Sequence, residues 1–120
     1  MAIFVIHKHS ASHLHYDLRL EMERVLKSWA IPKEPPTEEG VKRLAVQVDD
    51  HPLDYATFEG IIPEGMYGAG KVEIWDSGTY ELIEKAPNKM VIILHGKKLK
   101  GKYNLIKFTR SGEKNWLFFK

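Results

Sequence analysis

Apolar and polar residues alternate along most of this chain, most cleanly over Leu14–Met22. A β-strand points successive side chains to opposite faces. The alternation puts Tyr16, Leu18, Leu20 and Met22 on one face and His15, Asp17, Arg19 and Glu21 on the other. The same period predicts strands near Ile3–Lys8, Lys27–Ile31, Arg43–Asp49, Tyr55–Glu59, Lys71–Asp76, Thr79–Glu84, Lys89–His95, Lys102–Thr109 and Asn115–Phe119. Turn chemistry separates several of them: Asp76-Ser77-Gly78, Ala86-Pro87-Asn88, His95-Gly96-Lys97 and Arg110-Ser111-Gly112. No segment carries a sustained helical stripe. Glu34–Val41, with Pro35 and Pro36 ahead of Thr37-Glu38-Glu39, holds one short helical turn or a loop. Short, closely spaced strands of this kind predict an all-β fold, a sandwich or a barrel.

The polar face of Leu14–Met22 sets an imidazole, a carboxylate and a guanidinium side by side. His9 lies just upstream, at the end of another apolar run. Two imidazoles and a carboxylate can hold a divalent metal, so His9, His15 and Asp17 form a candidate ligand set. The alternative is a row of hydrogen-bonded polar residues on a solvated sheet. Arg19 beside them can grip a phosphate with its planar fork. In Arg43–Pro52, Leu44, Val46 and Val48 face one way and Arg43, Ala45, Gln47 and Asp49 the other. The strand delivers His51 at its end on the polar side, and Pro52 stops the pairing. His51 there suits a general acid or phosphate donor, or a capped surface histidine.

At 120 residues the chain suits one compact domain. No long apolar run or leader is visible, so neither a membrane span nor a signal peptide is expected. There is no cysteine, which excludes disulfides and thiolate metal sites and is compatible with a cytoplasmic setting. The net charge of +2 permits nucleic-acid binding without demanding it. The cations are uneven: Lys97, Lys98, Lys100, Lys102, Lys107 and Arg110 make a solvated hairpin or a patch tracking a polyanion. Gly65–Lys71 has P-loop spacing up to its lysine, but Val72 replaces the hydroxyl residue and a strand follows. This excludes a nucleotide triphosphatase and leaves a tight glycine turn or the lining of a cleft. Trp29, Trp75, Trp116, Phe118 and Phe119 are core residues or stacking platforms for bases.

The run His7-Lys8-His9-Ser10-Ala11-Ser12-His13-Leu14-His15-Tyr16-Asp17-Leu18-Arg19-Leu20-Glu21 resembles the signature of the 3′-phosphoesterase domain of bacterial DNA ligase D. Further matches are Leu26–Lys33, Arg43–Tyr55, Phe58–Gly65, Leu99–Tyr103 and Asn115–Leu117. The resemblance implies a small closed β-barrel that heals 3′ ends during break joining, acting on DNA or RNA–DNA primer–templates. It implies removal of a 3′-terminal ribonucleoside and then of the 3′-phosphate left behind. It implies Mn²⁺, or another divalent transition metal such as Zn²⁺ or Co²⁺, on His9, His15 and Asp17. Arg19 and His51 would hold the scissile phosphate, and Tyr55 matches an active-site position. Lys33 and Arg43 match positions tied to the phosphomonoesterase step. Family members inside ligase D carry an N-terminal extension that contributes to the site. This chain begins just before its first strand, so it resembles a stand-alone monomer, working with a separate ligase and polymerase, or an excised core, in either case with a weaker phosphatase step. Two other readings of the residues stand beside it. One is a two-His-one-carboxylate iron oxygenase using His15, Asp17 and a later histidine such as His95. The other is a non-catalytic nucleic-acid-binding barrel.

Overall fold

A computed structural model describes residues 1–108 and 112–120. Among them the strands are β1 (Ala2–Ser10), β2 (Leu14–Met22), β3 (Val25–Ile31), β4 (Lys42–Pro52), β5 (Gly60–Ile62), β6 (Gly70–Ala86), β7 (Lys89–His95), β8 (Lys100–Lys107) and β9 (Asn115–Phe119). They pair antiparallel in the order β1-β2-β3-β4-β9-β8-β7-β6-β5, and β1 also pairs β6. Eight strands therefore close into a barrel, and the short β5 adds to the first residues of β6 from outside. Closure removes free sheet edges, and it decides between the sandwich and the barrel left open by the strand pattern. Among the described residues no helix is long and apolar enough to cross a membrane.

The alternation of β2 sends Tyr16, Leu18 and Leu20 into the barrel, where they pack with Phe4, Ile6, Trp29, Leu94, Tyr103 and Phe118. Trp29, Trp116 and Phe118 are buried there, so they are core residues and not stacking platforms. Pro35 and Pro36 are buried in the β3–β4 loop, and the Tyr103 hydroxyl donates to the Pro36 carbonyl at 2.8 Å. The 34–41 segment is thus a loop without a helical turn.

Three expectations change. Asp76-Ser77-Gly78 is no turn: β6 runs straight through it, pairing β1 along most of its length and exchanging β5 for β7 on its other side. The Asp76 carboxylate accepts from the backbone N–H groups of Ser77, Lys97, Lys98 and Leu99, which ties the β7–β8 turn to β6. Gly78 serves close approach, because a Cβ there would overlap the His95 carbonyl oxygen. Tyr55–Glu59 is no strand either: Leu53–Thr57 is a 3-10 turn after Pro52, and the strand in this region is β5. Finally, β4 is inverted relative to its apolar pattern. Ala45 faces the core beside Trp116, while Leu44 is 40% exposed. The small Ala45 leaves room inside for two indoles, Trp29 and Trp116, whose rings meet edge to face at 6.0 Å. The turn at Arg110-Ser111-Gly112 lies largely outside the described residues.

Candidate metal centre

The polar row of β2 lies on the outer wall of the barrel, yet it is not solvated. Asp17 is 5% exposed, Arg19 3% and their neighbours His7 and Ser28 0%. The covering material is the chain after β4. A small outer core of Val5, Leu26 and Ala56, with Ile3, Leu53, Tyr55 and Ile74 packed on it, seats the 3-10 turn against the wall. Register builds the polar row from neighbouring strands. His9 pairs with His15 and His7 with Asp17 across β1 and β2; Arg19 pairs with Ser28 across β2 and β3. A register shift puts Leu26 opposite His51 and Ser28 opposite Val48, so β4 carries one extra residue there. That bulge turns His51 to the same outer side as Val48, although three positions separate them in sequence.

Three donor atoms converge. His9 Nδ1 lies 3.2 Å from His15 Nε2, His15 Nε2 lies 3.3 Å from Asp17 Oδ2, and His9 Nδ1 lies 3.9 Å from the same oxygen. Ligands about 2.1 Å from one ion stand roughly 3.0–3.5 Å apart; two edges match this and the 3.9 Å edge is still below twice that radius, so the three atoms can meet one divalent cation. The outer ring nitrogens point the same way. His9 Nε2 lies 3.3 Å from the Ala69 carbonyl and His15 Nδ1 lies 3.1 Å from the His13 carbonyl. Each outer N–H donates to its carbonyl, which leaves the inner nitrogens as lone pairs aimed at one point. Burial pushes the Asp17 carboxyl up, but His15, Arg19 and His9 outweigh it and hold it below its ordinary value. A proton on His15 Nε2 would bond Asp17, which raises His15 in return, and a metal ion would displace that proton.

Arg19 is held from four sides. Its Nε donates to His7 Nδ1 at 3.0 Å, one terminal nitrogen donates to Ser28 Oγ at 2.9 Å and to His51 Nδ1 at 3.1 Å, and the other donates to Asp17 Oδ2 at 3.3 Å. Four of the five guanidinium N–H groups are then spent. The Tyr55 ring lies 5.0 Å from the guanidinium carbon and stacks on Phe58 with centroids 5.1 Å apart. His7 Nε2 donates to the Phe58 carbonyl at 3.1 Å. Burial, then the Arg19 charge, push His7 down to about 4, so it is neutral at neutral pH. The same two causes lower His51. His51 Nδ1 lies between Arg19, which only donates, at 3.1 Å and the Asp49 carbonyl, which only accepts, at 3.2 Å; with the nearer, more buried guanidinium as its partner, Nδ1 accepts and Nε2 carries the proton. Burial raises the Tyr55 hydroxyl, which keeps it a donor.

His9, His15, Asp17, Arg19, His51 and Tyr55 line one cleft of about 880 Å³, together with Ala30, Val48, Asp49, Ile62, Glu64, Gly65, Tyr67 and the 68–70 stretch. The segment read as a turn or a cleft lining is therefore a cleft lining. The structure brings together His9, His15, Asp17, Arg19, His51 and Tyr55. It does not bring in Lys33 or Arg43. Lys33 is exposed beyond β3, and Arg43 Nε donates to the Glu34 carbonyl at 2.8 Å. His95 is also elsewhere, bonded to Glu81 Oε2 at 2.7 Å, which removes the oxygenase triad that used it. Sequence reasoning missed His7 and Ser28 as supports of Arg19. The available signal was the shared parity of His7 and His9, since Ser28 is set by register alone.

The family model of the DNA Ligase D 3'-phosphoesterase domain matches residues 7–107. A "Multifunctional non-homologous end joining protein LigD" of Pseudomonas aeruginosa is 49% identical over 96% of this chain and 14% of its own length. A "Multifunctional non-homologous end joining DNA repair protein LigD" of Mycobacterium tuberculosis is 51% identical over 95% of this chain and 15% of its own length. The chain thus spans only a small part of the curated relatives it matches. The matched residues include every member of the converging polar row, and the chain belongs to the DNA ligase D 3′-phosphoesterase domain family.

Proposed function

We propose that this domain is a metal-dependent hydrolase that heals 3′ ends in break repair by end joining. It removes a 3′-terminal ribonucleoside from a DNA or RNA–DNA primer and then removes the 3′-phosphate. The observation that carries this reading is the meeting of the His9, His15, Asp17 triangle with Arg19 and His51 in one cleft. The names of the relatives support the repair setting.

His9, His15 and Asp17 would hold a divalent ion, Mn²⁺ or a like transition metal, which would supply Lewis-acid charge at the phosphate. The chain's own residues do the rest. Arg19 offers its fifth N–H and its fixed charge to a non-bridging oxygen, with no reorganisation because His7, Ser28 and Asp17 already hold it. His51 presents Nε2–H, which donates to the phosphate or protonates the leaving oxygen. Tyr55 backs the guanidinium and keeps its own proton. The family resemblance assigns Lys33 and Arg43 to the second reaction, where the monoester carries an extra charge, although neither lines the cleft. The domain acts on 3′ ends alongside DNA ligase and polymerase activities.

The test is a primer–template ending in one ribonucleotide, with Mn²⁺ and with chelator. Cleavage to a 3′-phosphate that chelator stops, much faster than on an all-deoxy primer, supports the reading. Binding without cleavage supports a binding-only barrel instead. Equal cleavage of both primers would sink the ribose-dependent mechanism. Equal loss of both reactions in Lys33→Ala and Arg43→Ala would sink the division of labour.

A further inference from the structure

Tyr67 lines the cleft and is 89% exposed, and Met66 before it in sequence is exposed as well. Its ring touches no other ring among the described residues. An aromatic so exposed forgoes burial worth about 1.5–3 kcal/mol. The segment that carries it is nevertheless closely placed. Gly65, Gly68 and Gly70 have φ of 85°, 76° and 128°, and a Cβ on Gly70 would overlap the Ser10 carbonyl oxygen. The Ala69 carbonyl accepts from His9 Nε2 at 3.3 Å, and a Cβ at Gly68 would stand 4.0 Å from the His9 ring. The backbone two residues after Tyr67 is therefore fixed to a ligand of the candidate metal centre, while the ring itself stays free.

We infer that Tyr67 is a stacking platform for a substrate nucleobase next to the scissile phosphate. This deepens the reading above and rests on it. A phosphate held at Arg19 and the metal triangle carries a nucleoside on one side or both. The floor of the cleft is polar, its lining at Tyr67 and Ile62 is apolar, and a base is a flat apolar ring on a charged backbone. The buried Trp29, Trp116 and Phe118 cannot serve. Every base has a π face, so the platform reads the presence of a base and not its identity.

The experiment places 2-aminopurine either in the 3′-terminal ribonucleoside or in the penultimate nucleotide, and follows its fluorescence in chelator, which keeps the primer uncut. Wild type is expected to quench one of the two probes. Tyr67→Ala should lose that quench and weaken binding roughly 5- to 150-fold, the factor matching about 1–3 kcal/mol of stacking. Tyr67→Trp should restore both. With metal, the loss should fall on KM far more than on kcat. If the terminal base stacks, Tyr67→Ala spares a primer ending in 3′-phosphate; if the penultimate base stacks, that primer weakens equally. Unchanged affinity and quench in Tyr67→Ala, with wild type cleaving normally, overturns the platform alone. A wild type that neither binds nor cuts the primer overturns the phosphoesterase reading and the platform with it.

Discussion

The protonation state of His7 gives the sharpest test of how the site is held. His7 is fully buried, with Nδ1 accepting from Arg19 Nε at 3.0 Å and Nε2 donating to Phe58 at 3.1 Å. A second proton would have to sit on Nδ1, against a guanidinium. Burial first, and that charge second, lower the imidazole from 6.5 to about 4. In the unfolded chain the ring takes its proton near 6.5. Between those values the unfolded state binds more protons, so stability falls as pH falls. The contribution is complete above pH 6.5 and is lost by pH 4. A gap of about 2.5 units at 1.36 kcal/mol each amounts to about 3 kcal/mol, a large share of a small domain's stability. The perturbation is His7→Gln, which keeps one donor and one acceptor and does not titrate. Urea unfolding at about pH 7 and about pH 4 gives the stability of each protein. The advantage of wild type over His7→Gln should shrink by about 3 kcal/mol on acidification. His51 and the carboxylates titrate in both proteins and drop out of the difference. A constant difference, or a His7 ring that titrates near 6.5 by NMR, would refute the argument.

Arg19→Lys keeps the charge and loses the fork, so at least two of the four contacts go and His7 Nδ1 is left bare. Turnover should fall about 100-fold or more, and a variant within threefold of wild type would reduce Arg19 to simple electrostatics. His15→Ala should abolish both reactions and metal binding by calorimetry with little change in melting, because His15 is only half-buried. Asp17→Asn should abolish them and also cost about 3 kcal/mol in urea, since it strips a buried Arg19 of its anion; stoichiometric metal with retained turnover in either variant removes that residue from the site. Asp76→Asn turns an acceptor of four N–H groups into a partial donor and should cost about 3 kcal/mol, read by denaturation with the cleft chemistry intact in the folded fraction.

Local pattern alone determined much of this protein. The period-two alternation of Leu14–Met22 placed Tyr16, Leu18 and Leu20 inside and His15, Asp17 and Arg19 outside, because a pleated strand allows no other arrangement. The absence of a helical stripe and the spacing of turns led to an all-β fold, and the histidine-rich run led to the His9, His15 and Asp17 group that could hold a metal. Tertiary structure decided what covers that outer face. Whether Asp17 and Arg19 meet water or a buried network depends on the 53–70 segment folding back over the wall, a long-range packing choice with no local period. Register is equally non-local: Ser28 reaches Arg19 through cross-strand pairing, and His51 reaches it because a bulge adds one residue to β4. Ala45 points inward against the hydropathy of its strand because two indoles need the room. Gly78 and Asp76 look like a turn in sequence; barrel closure makes them a close backbone approach and an acceptor for the β7–β8 turn, because a strand's second edge is known only once its partners have arrived.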